Sequence, residues 1–286
     1  MQGLAYNIVK DHFEDISDDK EPLRLIINSV AGTGKSYVIN AIHNLLGQRC
    51  ALITAPTGKA SFNIGGTIIH SLLTLPVGPR GNKDLTSQSL TSVQQKLNEI
   101  ECIIVDDYLL LGQTAFGWID RRCIQATIFH DKILGGISFI LVGDPVQLPP
   151  VADKPFYHAK PSSIIGEQGH HIYSMFEKIV KLTAIHRVGG SNPEQERLKD
   201  LLSRLRKGES RTDDWKLFLS RQPTHVTNLA DFDDAVRLDY GKQGVANFSH
   251  EKLINLQQPV AHKMPIILLL LINGKLCRCF YRNSCK

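Results

Sequence analysis

A chain of 286 residues has the length for two domains or one large one, with ample material for a buried core. Its 42% apolar and 21% charged residues are those of an ordinary soluble globular protein, and a net charge of +5 suits a polyanionic partner without requiring one. The opening MQGLAYNIVKDHFED has no continuous apolar core, which argues against a secretory signal, and the eight apolar residues PIILLLLI at 265–272 are too few to span a bilayer and read as a buried strand. Cys50, Cys102 and Cys123 lie in apolar or helical segments. Cys277, Cys279 and Cys285 crowd into CRCFYRNSC, without a matching second half for a zinc site. No CxxC pair occurs, and a reducing intracellular setting is expected.

In chain order, four apolar runs end in polar or glycine-containing turns: LRLIINS (23–29), CALITA (50–55), ECIIVDD (101–107) and SFILVGD (138–144). Helical patterns are expected at 35–46, 58–64, 112–130 and 194–206, and the Gly-, Pro- and Ser-rich stretch 75–92 reads as a surface loop. Continuous apolar strands alternating with helices predict an α/β fold with a parallel sheet covered on both faces. Beyond about residue 190 charged helical sequence replaces that rhythm. The expected organisation is a first domain over 1–185, a second, mainly helical region over 186–262, and an atypical tail over 263–286.

The first run leads into SVAGTGKS at 29–36, a glycine-rich loop between a strand and a helix. The backbone N–H groups of such a loop ring a phosphate, and the helix N-terminus adds its positive end. Ser29, Val30, Ala31, Gly32, Thr33, Gly34, Lys35 and Ser36 are the candidate ATP-binding residues. Lys35 would reach the β- and γ-phosphates, and the Ser36 hydroxyl would hold Mg²⁺. Ser29 stands where the full pattern G-x-x-x-x-G-K-[ST] has glycine, a change that could strain the loop.

Two carboxylates close the third run. Asp106 is assigned to the metal and Asp107 to orienting water, against the alternative of two solvated turn residues. In ILVGDPVQLPPV (140–151), Gln147 could sense the γ-phosphate or be a surface residue, while Pro149 and Pro150 stiffen the exit. In ITAPTGKASFNIGGTIIHSLL (53–73), Pro56, Thr57, Lys59 and His70 are candidates for contacts to a nucleic-acid backbone, with a core histidine the alternative for His70. Arg187, in LTAIHRVGG, is either a surface arginine or one that enters a nucleotide site from a second domain.

The ordered set AGTGKS, TAPTGKAS with TIIHS, IIVDD, GGISFILVGDPVQLPPV and LT..HR resembles the PIF-type (petite integration frequency) DNA helicases, RecD-like members of helicase superfamily one. The resemblance covers about residues 2–260, including AVRLDYGKQGVANFSHEKLINLQQP, similar to the opening of the family's second domain. It implies two RecA-like domains clamping ATP, and an ATP- and Mg²⁺-dependent 5′-to-3′ helicase on single-stranded or forked DNA, with no membrane partner. Roles in DNA repair, recombination and telomere maintenance, in nucleus or mitochondrion, are implied with it. By the same resemblance Gln2 contacts the adenine base, Asp107 takes the place of the catalytic glutamate, and Arg187 is the arginine finger. Aspartate is one methylene shorter than that glutamate, and nothing after residue 260 resembles the family's late motifs, so the second RecA-like domain is expected to be incomplete and the chain truncated or diverged. A catalytically weak ATP- or DNA-binding remnant is the alternative, with Phe62, Phe156, Tyr157 and Trp215 as candidates to stack on bases. A small-molecule kinase would need an arginine-rich lid, which the sequence lacks.

Overall fold

The computed structural model describes residues 1–17, 20–47, 50–76, 85–186, 192–222, 224–226 and 238–255, and the backbone of 267–272 and 275–280. By compactness the chain falls into two units, Met1–Arg211 and Thr212–Lys286.

The first unit is built on six parallel strands: β1 (Arg24–Ser29), β2 (Ala51–Ala55), β3 (Thr67–Ile68), β4 (Cys102–Asp106), β5 (Ser138–Gly143) and β6 (Lys178–Leu182), in the spatial order β3-β2-β4-β5-β1-β6. All residues of β4 and β5 are buried, as sandwiching between helical layers requires, and their register pairs Asp106 with Val142. Period-two alternation sends Leu25, Ile27, Ile104 and Ile140 to one face, where α1 (Gln2–Glu14) contributes Ala5 and Val9, and α2 (Lys35–Leu46) contributes Ile39 and Ile42. Ile26, Ile103, Phe139 and Leu141 face the other way, onto α6 (Gln113–Ala126) with Phe116 and Ile119, and α7 (Ile164–Ser174) with Ile172. Between these lie α3 (Gly58–Asn63), α4 (Ile69–Leu72) and α5 (Ser87–Leu97), and α8 (Pro193–Lys207) follows β6.

The expected strands and helices are present, with ends that differ by a few residues. The stretch expected as a loop at 75–92 is partly helical: α5 starts at Ser87 because the Thr86 hydroxyl accepts the Ser89 N–H at 3.3 Å and caps it, while residues 77–84 lie outside the described residues. Helix α8, read from sequence as part of the second region, belongs to the first compact unit, where it buries Leu201. The second unit contains α9 (Thr212–Leu219), α10 (Lys242–Asn255) and an antiparallel pair, β7 (Ile267–Ile272) with β8 (Lys275–Phe280). Residues 267–272 of PIILLLLI thus form a strand; Pro265, Ile266 and Cys285, with the side chains of 267–272, Cys277 and Cys279, lie outside the described residues. No helix among the described residues is long and apolar enough to cross a membrane.

One buried carboxylate staples a turn beneath the sheet. Asp120 Oδ1 accepts the Leu134 N–H at 2.6 Å and Oδ2 accepts Gln168 Nε2 at 2.5 Å, which holds Leu134 at φ 55° ahead of Gly135. Burial raises the Asp120 pKa above its ordinary 3.8, against the two hydrogen bonds and Arg121, which lower it. A carboxyl with a raised folded pKa supplies stability below pH 3.8 that is lost as pH rises through the folded value. Asp120→Asn keeps the acceptor for Leu134 and removes the titration. Its melting temperature relative to wild type is therefore expected to rise as pH is raised from 3 toward 7. A difference independent of pH would refute the assignment.

Candidate nucleotide-binding site

Because all strands of the first unit run parallel, their C-terminal ends meet at one edge, and the turns there carry the site. After β1 the chain turns through Gly32 and Gly34, both at φ 83°, and α2 starts at Lys35. A left-handed backbone there would cost another residue about 1–2 kcal/mol, so these glycines are required by conformation. Ser29 is different: it ends β1 in ordinary strand conformation, and its buried hydroxyl donates to Gly143 O at 3.2 Å. The strain expected of a serine at this position is absent.

Neighbouring segments clasp the loop. Thr33 Oγ1 donates to Val30 O at 2.8 Å, the His186 N–H to Gly32 O at 2.7 Å, and Gln2 Nε2 to Thr33 O at 2.8 Å. Residues Ser29–Gly32 and Gly34–Tyr37, with Gln147 and His186, line a cavity of about 400 Å³.

Lys35 Nζ lies 2.9 Å from Asp106 Oδ1 and also contacts Asp107 Oδ1. The Asp107 N–H donates to Asp106 Oδ1 at 2.9 Å, in a turn where Asp107 has φ 50°. Aspartate is among the residues that tolerate this conformation best. Burial raises the Asp106 pKa, with Lys35 pulling the other way. At Lys35 burial lowers the pKa, but the two carboxylates outweigh it and the net shift is upward, so the ammonium is retained.

These residues fit a magnesium nucleotide. Gly32 and Gly34 place no side chain of their own over the loop, and Lys35 is a cation that phosphates can take over from the aspartates. The Ser36 hydroxyl with the Asp106 and Asp107 carboxylates is a hard oxygen set of the kind Mg²⁺ accepts beside substrate phosphates.

The candidates from sequence are distributed unevenly. Loop residues 29–36, Asp106, Asp107 and Gln147 come together, and Gln2 adjoins them through Thr33. Arg187 lies outside the described residues. Pro56, Thr57 and Lys59 follow β2 at the same edge and His70 follows β3, but β4 and β5 separate β2 from β1, a displacement of about 14 Å at normal strand spacing, and β3 lies one strand further out. There the Thr57 hydroxyl caps α3 by accepting the Ala60 N–H, and Lys59 Nζ sits 6.0 Å from the centre of the exposed Phe62 ring. His70 is half-buried and its pKa is lowered by burial, which favours the neutral imidazole. Phe156 is removed from the stacking candidates: it is buried and stacked on Tyr173 at 4.5 Å. Phe62, Tyr157 and Trp215 are exposed. His186 and Tyr37 were not anticipated at the cavity. His186 had one available signal, its place beside Arg187 in LTAIHRVGG.

Known proteins are similar to this chain. The ATP-dependent DNA helicase RRM3 of Saccharomyces cerevisiae is 27% identical over 202 residues, covering 68% of this chain and 26% of the relative. The ATP-dependent DNA helicase PIF1 of Xenopus laevis is 28% identical over 199 residues, covering 69% and 29%. The chain thus spans less than a third of these relatives' length. Among solved structures, the Pif1 helicase from Candida albicans superposes with a TM-score of 0.63 at 20% identity, covering 91% of this chain and 54% of that one. Bacteroides Pif1 bound to ssDNA gives 0.60 at 20% identity, covering 88% and 56%. Such identities speak for the fold alone, a RecA-like parallel sheet with flanking helices. Residues 7–215, well over half of the chain, match the family described as PIF1-like helicase, and the phosphate loop with its paired aspartates lies inside that match: the chain belongs to the PIF1-like helicase family.

Proposed function

We propose that this chain carries the nucleotide-driven part of an ATP-dependent DNA helicase moving 5′ to 3′ on single-stranded or forked DNA. The observation that supports it most is the convergence of Lys35, Asp106, Asp107 and Gln147 on the glycine loop at one sheet edge. In this reading the loop amides from Gly32 to Ser36 hold the β-phosphate and Lys35 leaves the aspartates for the β- and γ-oxygens. Ser29, Val30 and Ala31 shape the loop, and Gln2 reads the base. Mg²⁺, held by Ser36 and Asp106, would neutralise charge on the phosphates. Asp107 orients the attacking water and accepts its proton as the bond from the γ-phosphorus to the ADP oxygen breaks. Gln147 senses the γ-phosphate, and Arg187 supplies positive charge as the finger. Pro56, Thr57, Lys59 and His70 contact the DNA backbone, the first three about three strand spacings from the loop and His70 one strand further. The relatives' names, ATP-dependent DNA helicases, support the helicase reading; service in DNA repair, recombination and telomere maintenance, in nucleus or mitochondrion, is part of the proposal and follows from the family resemblance of the motifs.

The test is ATP turnover with and without single-stranded DNA. Turnover stimulated by DNA is expected in the native chain. Asp107→Asn should keep nucleotide affinity and lower turnover on the order of 100-fold, the usual worth of a positioned base. Hydrolysis indifferent to both DNA and Asp107→Asn would contradict the proposal. Binding without turnover would favour an ATP- or DNA-binding remnant.

A further inference from the structure

The turn that carries Gln147 is organised by one carboxylate. Asp144, almost fully buried, accepts the Val146 N–H at 3.1 Å on Oδ1, and its backbone oxygen accepts the Gln147 N–H at 3.0 Å. Gln147 itself is exposed and reaches the cavity beside the phosphate loop. What holds Asp144 comes from far along the chain. Arg206, in the last turn of α8, donates Nη1 to Asp144 Oδ2 at 2.8 Å and Nη2 to Oδ1 at 2.5 Å, a two-pronged clamp. A planar guanidinium matches both carboxylate oxygens at once, which an ammonium cannot do.

Leu201 is the one buried side chain among the described residues of α8, while Leu198, Leu202 and Leu205 are exposed. The Arg206–Asp144 ion pair ties the last turn of α8 to the turn that carries Gln147. A displacement of α8 would have to break or carry along Asp144, and with it two hydrogen bonds of that turn. Nothing in the sequence around Arg206 singles it out from Arg204 or Lys207, which lie in the same helical turn.

We propose that Arg206 is a positioning residue for the nucleotide site: by clamping Asp144 it fixes the turn that presents Gln147 to the γ-phosphate, and it makes that presentation depend on the seat of α8. This rests on the nucleotide-site reading above and adds to it a mechanical link between a helix and the phosphate sensor. Arg206 itself touches no substrate in this scheme.

The test has two parts. In the nucleotide-free chain, amide hydrogen exchange in 144–148 is expected to quicken on the order of tenfold in Arg206→Gln, the size of one charge-assisted hydrogen bond, while β1 and β4 are unchanged. Arg206→Lys, with the charge but not the fork, should restore part of the protection. In titrations, Arg206→Gln should weaken a non-hydrolysable ATP analogue about tenfold and leave ADP within about twofold, and Gln147→Ala should do the same. The double variant Arg206→Gln/Gln147→Ala should bind the analogue no more weakly than Gln147→Ala alone. Multiplying losses in the double variant, or equal losses for ADP and the analogue, would overturn the proposal. Undiminished analogue affinity in Arg206→Gln, with binding still lost in Lys35→Ala, removes the clamp and leaves the nucleotide site standing. A native chain that binds neither nucleotide removes both.

Discussion

Replacing Lys35 by alanine is expected to lower ATP turnover at least about 100-fold and to weaken nucleotide binding along with it. Preorganised charge aimed at a transferring phosphoryl group is commonly worth two to three orders of magnitude per donor, in round terms. Lys35 is the cation that the structure brings to the loop, 2.9 Å from Asp106 and in contact with Asp107. The substitution acts twice. It removes the charge that would meet the β- and γ-phosphates, and it leaves the Asp106 and Asp107 carboxylates without the ammonium that both contact. Burial already raises the Asp106 pKa, and Lys35 opposes it most, with the Asp107 N–H helping. Without Lys35 that carboxyl holds its proton to higher pH. A raised folded pKa gives stability below the ordinary 3.8 that disappears as pH rises through the folded value, so Lys35→Ala should lose stability relative to wild type as pH rises. Turnover assays with DNA present, and melting curves between pH 3 and 7, check both halves. Retained hydrolysis in the variant would mean that the glycine loop is not the nucleotide site.

Gly169→Ala is expected to destabilise the fold by about 3 kcal/mol, the upper part of the usual range for an overpacked core. A Cβ at Gly169 would stand 1.9 Å from Gln113 O and 2.6 Å from Gly117 N, and one at Gly117 would stand 2.1 Å from Ile165 O. Helices α6 and α7 cross backbone on backbone at these two glycines, and neither contact ends in a side chain that could turn away. The damage would extend toward the site. Gln113, fully buried, donates Nε2 to Pro155 O at 3.0 Å and to His158 O at 2.6 Å, and the Asp153 carboxylate accepts the Thr114 and Ala115 N–H groups at the start of α6. The α6–α7 seam thus anchors the segment that returns from the Gln147 turn. Thermal melts should show the loss, and an exposed control such as Gly3→Ala, where a Cβ meets nothing within 4 Å, should not. Equal melting temperatures for the two variants would mean that the helices can separate without cost.

Much of this site was legible in local sequence. An apolar run, a loop with Gly32 and Gly34, and a helical pattern from Lys35 require neighbours only a few residues apart, and the structure has them in that form. The aspartates of IIVDD and the GDPVQ turn were legible for the same reason, since each closes a fully buried strand whose continuous apolar run is distinctive. Less regular elements were hidden. Strand β6 lies at the sheet edge with only Val180 and Leu182 buried, so its lysines break any apolar run. Helix α5 begins in a stretch whose serines and threonines read as loop, until Thr86 caps it.

Long-range pairing was decided by the tertiary structure alone. Residue spacing does not reveal that β5 lies between β1 and β4, yet that order is what brings Asp106 and Asp107 to Lys35 across 71 and 72 positions of chain and keeps Lys59 and His70 away from the loop. The serine at position 29 looked like a defect in a glycine pattern; in place it is a strand residue bonded to Gly143. Arg206 was one charge among several on a polar helix until the fold set it against Asp144. Periodicity and turn chemistry are local and survive in a one-dimensional record. Which charges meet depends on the sheet order and on which helix covers which strand end, and those follow from burying both faces of the sheet together.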